Sequence, residues 1–497
     1  MEYFFLIFAI ALIIGFEFVN GFHDTANAVA TVIYTNTLKP TYAVIWSGIC
    51  NLLGVLTSSG TVAFAIISLL PIDLLINGST NQSLLMVLSI LISAIIWNLG
   101  TWYMGLPVSS THSLIGAITG IAIAHSLWST HQSWWHEINW LAMKEVLISL
   151  VISPLLGFGG AVLLFLTAKV IFTKPELYSP PDENVPSMGV RSLLILTCTG
   201  VSFAHGSNDG QKGIGLMMLI LIGFLPSLFA INLDTSPQAI AQMFATSHLV
   251  TPVLETQINR NSPYQSTLPP TFINQLENAS QDLTNFLKPQ GQPTANTWQS
   301  LLTESQAINE HLEKIQNFTD ISASDRRHLR NDIYLVSSTI TKLEKQKQLT
   351  NFQDPQLLIS YRNQLEQIIK FIPFWVKLTI ALALGLGTMI GWKRVVITVG
   401  EKIGTEHLNY AQGATAELVT MTTIGAANYL GLPVSTTHIL SSGIAGTMLA
   451  NQAGLQIATL KNLLLAWIFT LPSCILLGFI TYAIAIFMIE HQFFGLS

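Results

Sequence analysis

An eight-residue string occurs twice in this chain. Gly-Leu-Pro-Val-Ser-Ser-Thr-His at residues 105–112 returns as Gly-Leu-Pro-Val-Ser-Thr-Thr-His at residues 431–438, with seven of eight positions identical. Both copies are flanked by long apolar runs, which predicts a membrane protein built from two copies of one half. Hydroxyl-rich, helix-breaking segments at matching places in duplicated halves are typical of secondary transporters that bind their substrate between the repeats.

Composition places the chain in a lipid bilayer. Half of its 497 residues are hydrophobic, a tenth are charged, and the mean hydropathy is +0.51. A crossing helix needs about 20 apolar residues. We therefore predict an all-α, polytopic membrane protein of about 10–12 transmembrane segments, with two inverted repeats, re-entrant helical hairpins and a helical soluble insert. The first apolar run follows Glu2 without a basic segment, which favours a resident helix over a signal peptide.

The distribution of Lys and Arg predicts the topology. With the N-terminus outside and five crossings in the first half, the linker at 173–191 lies inside and the second half starts from the opposite face. Short inside segments then carry eight basic residues and the short outside loops carry Lys144 alone, as the positive-inside rule requires. The eight are Lys39, Lys169, Lys174, Arg191, Lys393, Arg394, Lys402 and Lys461. Both termini are therefore expected outside.

A soluble insert interrupts the second half. The spacing from His112 to His438 is much longer than the spacing from Asp24 to Asp209, and the difference nearly equals the length of the polar segment 233–371. A helical hairpin or bundle is predicted there, with a linker at 256–272; a largely disordered loop is the alternative. The predicted domains are a first membrane repeat (1–172), a linker (173–191), the start of the second repeat (192–232), the insert (233–371) and the remainder of the second repeat (372–497).

The insert has a helical apolar pattern and nearly balanced charge. Its 11 basic and 13 acidic residues offer no basic patch for nucleic acid. The apolar positions at helical spacing are Leu301, Leu302, Ile308, Leu312 and Ile315, and then Ile333, Leu335, Ile340 and Leu343.

Outside the insert, few ionisable residues lie deep in apolar runs. A charged side chain at the centre of a membrane helix costs about 2.5–3.5 kcal/mol on insertion scales. We expect these residues to face one another or water along a transport route; structural ion pairs and side chains that reach to the interface are the alternative. They are Glu17, His23, Asp24, His112, His205, Asp209, Lys212, Glu417 and His438.

One pair of related motifs lies at residues 20–28 and 205–213, each within an unusually long apolar run that contains glycine. Helix interruptions are expected at both, with freed backbone groups lining a polar cavity. The carboxylates of Asp24 and Asp209 then become ligands for a coupling cation or carriers of a proton. Close helix packing through small residues is the alternative. Other polar members of these motifs are Asn27, Asn208 and Gln211.

The repeated string predicts an anion site. Proline disfavours helix in the residue before it and suits the first turn of a new helix. The hydroxyl residues after Pro107 and Pro433 would then open two half-helices, where free amide groups and the positive end of the helix dipole attract an anion. These residues are Ser109, Ser110, Thr111, Ser435, Thr436 and Thr437. His112 and His438 would follow them as caps or as part of the polar pathway.

No arginine lies within the core apolar runs, and Lys212 is the only candidate cation with a permanent charge there. Capture of a naked phosphate dianion in a medium of low dielectric would ordinarily call for guanidinium groups or a metal ion. The site therefore suits a weakly charged or metal-neutralised oxyanion.

Both repeated strings, residues 21–31 and residues 205–215 closely resemble the inorganic phosphate transporter (Pit/PiT) family, and most of all its bacterial low-affinity branch. The resemblance covers both membrane halves. It implies phosphate uptake across a bacterial inner membrane, with periplasmic termini and insert, by proton symport of phosphate as a neutral complex with Mg2+ or another divalent ion. It implies no bound cofactor, and it leaves the oligomeric state open, with a homodimer as one option.

Carried over by position, the resemblance assigns the family's aspartates to Asp24 and Asp209, its phosphate-holding hydroxyls to the two turns and a functional glutamate to Glu417. Sodium-coupled relatives have Asn where this chain has His23 and Lys212, and a glutamate at the place of Asn51. A lysine ammonium can occupy the space of a sodium ion, and a histidine can exchange a proton near neutral pH. Proton coupling is therefore expected instead of sodium coupling.

Other functions remain as alternatives at this stage. They are a sodium-coupled phosphate transporter, a transporter of another anion or of a metal ion alone, and an intramembrane lipid pyrophosphate phosphatase. An enzyme of the last kind would need cationic clamps beside its nucleophile, and the missing arginine argues against them, so we predict a non-enzyme. Competition of uptake by arsenate but not by sulfate would identify phosphate as the anion.

Overall fold

The computed structural model describes residues 2–70, 80–128, 133, 135, 138–181, 186–261, 272–352 and 354–490. In these residues the chain is helical and forms no named strand, which confirms the all-α prediction. The helices belong to two compact units. The membrane unit comprises residues 1–70, 84–220 and 372–497, and the insert unit comprises residues 71–83 and 221–371.

Nineteen α-helices lie in the described residues. The first eight are α1 (Glu2–Asp24), α2 (Ala26–Tyr34), α3 (Pro40–Thr57), α4 (Thr61–Ile67), α5 (Thr80–Tyr103), α6 (Ser110–Trp128), α7 (Trp140–Ile171) and α8 (Met188–Phe224). The insert unit holds α9 (Pro226–Phe229), α10 (Pro237–Asn261), α11 (Phe272–Leu287), α12 (Ala295–Glu313), α13 (Ala323–Lys345) and α14 (Pro355–Ile369). The membrane unit ends with α15 (Phe374–Thr388), α16 (Lys393–Glu401), α17 (Tyr410–Leu430), α18 (Thr436–Ala450) and α19 (Ile457–Glu490).

Six spans among the described residues are long and apolar enough to cross a membrane, or seven if a bent pair of helices counts as one. This is fewer than the ten to twelve segments predicted. The other apolar stretches form helices that are shorter or more polar than a full crossing requires, such as α6, α17 and α18. The topology with both termini outside stays a prediction.

The two related motifs differ in backbone structure. Thr25 alone separates α1 from α2, and its hydroxyl donates to the carbonyls of Gly21 at 2.7 Å and Thr388 at 3.0 Å. In the second copy, α8 runs unbroken through residues 205–213, so the interruption predicted there is wrong. Glycine lowers helix propensity without preventing a helix, and in α8 close packing decides the outcome.

The repeated strings fold alike at their glycines. Gly105 and Gly431 both have φ +68°, the left-handed conformation that glycine adopts without strain. In both copies the next residue donates its backbone amide to a carbonyl five residues back, from Leu106 to Thr101 and from Leu432 to Ala427, each at 2.9 Å. These bonds end α5 and α17 in the same way, and the chain then turns into α6 and α18.

Helices of each half pack against helices of the other half. α1 packs against α15, where a Cβ at Gly21 would lie 2.3 Å from the carbonyl oxygen of Leu384. At the repeat-related position in the second half, a Cβ at Gly206 would lie 2.1 Å from the carbonyl oxygen of Asn51 on α3. Likewise α6 packs on α19 while α18 packs on α7. Each half therefore completes its helix packing with helices of the other.

The insert unit has a helical core of its own. Eight of the nine apolar positions predicted for it are buried there, and the ninth, Ile315, packs against the same cluster. The Trp298 and Phe352 rings stack with centroids 5.4 Å apart. Of the linker predicted at 256–272, residues 256–261 belong to α10, Phe272 begins α11, and residues 262–271 lie outside the described residues.

Candidate substrate site at the two hydroxyl turns

The two hydroxyl turns meet inside the membrane unit. The Ser109 hydroxyl accepts the backbone amide of His112 at 3.2 Å, and the Ser435 hydroxyl accepts that of His438 at the same distance. Ser109 and Ser435 thus cap α6 and α18, as the position after each proline predicts. The Thr111 hydroxyl donates to the carbonyl of Val434 at 2.9 Å and joins the two turns directly.

Asp24 lies between these turns and is bonded by both. Its Oδ2 accepts the Ser110 hydroxyl at 3.0 Å, and its Oδ1 accepts the Thr437 hydroxyl at 2.6 Å. The Asn27 amide donates to Asp24 Oδ1 at 3.3 Å and to Thr437 at 2.9 Å; it also reaches Thr436 at 3.3 Å. One carboxylate therefore holds a hydroxyl from each repeated string.

Asp209 brings the matching carboxylate from α8. Its Oδ2 lies 2.6 Å from the ammonium of Lys212 and 3.2 Å from the Ser110 hydroxyl, which also accepts from Lys212 at 3.2 Å. Lys212 is fully buried, and Asp209 Oδ1 has no hydrogen-bond partner among the described residues. The two opposite charges compensate each other, and loss of either would leave an uncompensated buried charge.

Two histidines complete the central cluster. His205 Nε2 lies 3.8 Å from Asp24 Oδ2 and 3.6 Å from Asp209 Oδ2, and its Nδ1 lies 2.9 Å from Asn51 Oδ1. The Asn51 amide nitrogen donates to the Thr388 hydroxyl, so the Asn51 amide oxygen faces His205. His205 Nδ1 therefore donates to Asn51, while Nε2 faces the two carboxylates without a hydrogen-bond partner among the described residues. His23 lies 3.5 Å from Asp24 and 3.3 Å from the Thr101 hydroxyl.

Two further acids are fully buried outside this cluster. Glu417 on α17 accepts the hydroxyls of Thr31 on α2 and Thr197 on α8. Glu17 on α1 accepts the Asn20 amide at 3.4 Å, while its second oxygen has no hydrogen-bond partner in the described part of the chain. Burial of a carboxyl group with so few donors favours its neutral form over its charged form.

Asn208 and Gln211 join α8 to other parts of the membrane unit. Asn208 donates to Asn428 at 2.6 Å and to the carbonyl of Leu432 in the second repeated string at 3.3 Å, and Gln211 accepts the backbone amide of Val62 at 2.9 Å. Their place in a polar pathway stays a prediction.

His112 and His438 meet where the two halves meet. Their ring centroids are 4.7 Å apart, and the His438 ring also stacks on Trp467 at 4.1 Å. The Trp467 indole donates to the carbonyl of Pro107 at 3.0 Å. The histidine side chains therefore pack against each other and against the first turn.

Sequence reasoning assigned no role to several residues that support the site. Thr31 and Thr197 hold Glu417, Asn51 orients His205, and Thr101 contacts His23. Local signals existed for three of them. Thr31 ends the segment 21–31, Thr197 lies on α8 eight residues before His205, and Thr101 lies on α5 four residues before the first repeated string. Asn51 lies on α3, which carries none of these motifs.

The site can hold a cation without arginine. Ligand atoms of Asp24, His205 and Asp209 lie within 4.8 Å of one another, close enough for a single metal ion. Oxygen and imidazole ligands suit several divalent metals. The two arginines of the membrane unit, Arg191 and Arg394, are exposed and belong to no part of this cluster.

A helical membrane protein whose two halves jointly enclose a polar site belongs to the class of membrane transporters. Sequence comparison agrees: the model of the "Phosphate transporter family" matches residues 20–478. The chain belongs to this family, which confirms the resemblance and the prediction of a transporter rather than an enzyme.

The relatives are similar along nearly the whole chain. A "Low-affinity inorganic phosphate transporter" of Buchnera aphidicola subsp. Acyrthosiphon pisum is 43% identical over 493 residues, covering 97% of this chain and 96% of the relative. PitB of Escherichia coli K12 is 39% identical over 498 residues, covering 97% of each chain. PitA of the same strain is 39% identical over 490 residues, covering 95% of each chain.

A solved structure has a similar fold. It is titled "The sodium-dependent phosphate transporter" and matches with a TM-score of 0.53 at 19% identity, over 97% of this chain and 99% of that one. At this identity the likeness concerns the fold alone.

Proposed function

We propose that this protein takes up inorganic phosphate with low affinity across a bacterial inner membrane, as a proton symporter that carries phosphate as a neutral complex with a divalent metal. Family membership and relatives named as low-affinity phosphate transporters support the substrate. The observation that carries the mechanism is the position of Asp24, which holds a hydroxyl from each repeated string.

Asp24 and phosphate would compete for the same donors. Each hydroxyl has one proton, so Ser110 and Thr437 cannot donate to the Asp24 carboxylate and to a phosphate oxygen at the same time. Two anions in one buried pocket also repel each other strongly. Phosphate binding therefore requires a cation that neutralises Asp24, and that requirement couples the two solutes.

Lys212 supports a proton over sodium as the coupling ion. Its ammonium lies 2.6 Å from Asp209, at the position where sodium-coupled relatives have asparagine. A permanent ammonium there supplies the positive charge that a sodium ion would otherwise bring. A proton therefore remains as the small cation that couples uptake to the gradient, while a divalent ion that enters with phosphate can neutralise Asp24.

The ligand set of the cluster favours a metal-phosphate complex. No guanidinium of the described residues reaches the turns, whereas Asp24, His205 and Asp209 bring oxygen and nitrogen ligand atoms together, where a divalent ion that enters with phosphate would meet them. The complex with hydrogen phosphate is neutral, so its entry into a medium of low dielectric avoids most of the cost of burying an anion.

Purified protein in proteoliposomes tests this proposal. Uptake of labelled phosphate is measured while the proton gradient, sodium and Mg2+ are varied independently. The proposal predicts uptake that persists without sodium, collapses with the proton gradient and falls when divalent ions are chelated. Sodium-driven uptake that ignores the proton gradient would contradict proton coupling, and full uptake after chelation would contradict the metal complex.

A further inference from the structure

Glu17 is a buried acid that the mechanism above does not use. Its side chain is fully buried on α1, and its Oε2 accepts the Asn20 amide at 3.4 Å. Its Oε1 has no hydrogen-bond partner among the described residues. A Cβ at Gly213 would lie 2.5 Å from both Cγ and Oε1 of Glu17. Glu17 therefore packs directly on α8, beside the residue that follows Lys212.

The basic residues of the central cluster face acids other than Glu17. Lys212 lies 2.6 Å from Asp209, His205 lies 3.6 Å from Asp209, and His23 lies 3.5 Å from Asp24. These basic groups therefore face acids other than Glu17, and Glu17 forms no ion pair within the described residues. Because an unpaired carboxylate is strongly disfavoured in a buried site, Glu17 is protonated in this arrangement.

Lys212 links Glu17 to the substrate. Glu17 packs on Gly213, the neighbour of Lys212 in the chain, so an ionised Glu17 would be attracted by the Lys212 ammonium. The same ammonium donates to the Ser110 hydroxyl at 3.2 Å, at the turn proposed to hold phosphate. An anionic Glu17 and a phosphate group would therefore compete for stabilisation by the same Lys212 ammonium.

We propose that Glu17 carries the transported proton. While phosphate occupies the hydroxyl turns, the Lys212 ammonium stabilises the phosphate and Glu17 stays protonated. After phosphate leaves, the ammonium stabilises the Glu17 carboxylate and the proton departs to the side of release. Because phosphate disfavours the charged form of Glu17, phosphate and the proton bind cooperatively, and this cooperativity is what symport requires.

The test rests on the proposed function and uses the full chain in proteoliposomes. Glu17→Gln replaces a protonated carboxyl by an amide of the same size that cannot release a proton. We expect exchange of labelled phosphate across the membrane, which needs no net proton movement, to stay within about threefold of wild type. Accumulation driven by a proton gradient should fall by at least about tenfold, and Glu17→Asp, which keeps an acid, should restore part of it.

Three other results would overturn the inference. They are accumulation by Glu17→Gln at the wild-type level, loss of both exchange and accumulation, and failure of this variant to fold, because an amide matches a neutral carboxyl. Ser202→Ala is the matched control at the repeat-related position, where Ser202 bonds Ser47 at 2.9 Å, and it should keep both activities. A wild-type protein with no proton-driven accumulation would instead refute the proposed function itself.

Discussion

At the scale of single residues, the site is defined by the hydrogen bonds of its hydroxyl groups. Ser110 and Thr437 come from strings in opposite halves of the chain, yet both donate to the carboxylate of Asp24. Asp24 thus occupies the donors in the way a substrate oxygen would. This arrangement explains why a carboxylate belongs at the centre of a site for an anion.

Asp24→Asn should abolish coupled uptake and leave folding intact. The amide carries no negative charge to attract a cation, and it presents N–H donors to groups that now donate. Hydrogen bonds to charged groups are worth about 1.5–3 kcal/mol, so uptake should fall at least about tenfold. Initial rates in proteoliposomes and the melting temperature in detergent measure the two effects. An inactive variant that is also misfolded would indicate a structural role for Asp24.

At the scale of helices, glycines decide how closely the two halves approach. A Cβ at Gly21 would lie 2.3 Å from the carbonyl oxygen of Leu384 and 2.9 Å from the amide nitrogen of Thr388, both backbone atoms. Thr388 also accepts the hydroxyl of Thr25 at its carbonyl, next to Asp24. A shift of α1 against α15 would therefore displace Thr25 and its neighbour Asp24.

Gly21→Ala should destabilise the protein by about 1–3 kcal/mol, the range found for overpacked interiors. Thermal unfolding in detergent should show a lower melting temperature, and uptake should fall with it. Gly15→Ala is the control on the same helix, because no atom of the described residues lies within 4 Å of a Cβ at Gly15. Equal melting temperatures for the two variants would show that α1 and α15 do not pack as described.

The insert contains an acid pair whose ionisation should set its stability. Glu304 on α12 accepts the Ser280 hydroxyl and lies beside Asp332 on α13. Burial raises the pKa of Glu304 to about 8, and burial raises the pKa of Asp332 to about 7. Since both values exceed those of the unfolded chain, the folded pair binds more protons, and its contribution to stability is fully present below about pH 4 and is lost as pH rises through 7 to 8.

Hydrogen exchange of the full-length protein measures this dependence. Peptides of α12 and α13, corrected for the intrinsic rate at each pH, should lose protection from about pH 4 to about pH 8 and change little above that, because the loss runs from the unfolded to the folded pKa values. Glu304→Gln should flatten the loss. Glu310→Gln, an exposed change on the same helix, should leave it unaltered, and an equal effect of both variants would contradict the assignment.

At the scale of the whole molecule, most predictions about the site came from the two repeated strings. The helix ends at Gly105 and Gly431, the caps at Ser109 and Ser435 and the helical insert all follow from local sequence. The unbroken course of α8 does not, because packing of α8 against α3 outweighs the helix-breaking tendency of its glycines.

Local sequence also could not predict the contacts between helices that are distant in the chain. Asn208 and Gln211 stand beside Asp209 in the chain, but the period of 3.6 residues turns them toward other helices. Thr31 and Thr197 reach Glu417 only because α2, α8 and α17 converge. Charge pairing in the cluster likewise depends on which side chains meet across the two halves.

The central claim is that a tetrahedral anion is held between the two hydroxyl turns, and the position of bound arsenate tests it most directly. Arsenate matches phosphate in shape, and its arsenic atom can be located by anomalous scattering in crystals grown with Mg2+ at low pH. The structure predicts one arsenic peak within hydrogen-bonding reach of both Ser110 and Thr437. A peak that contacts neither turn, or only one of them, would contradict the account.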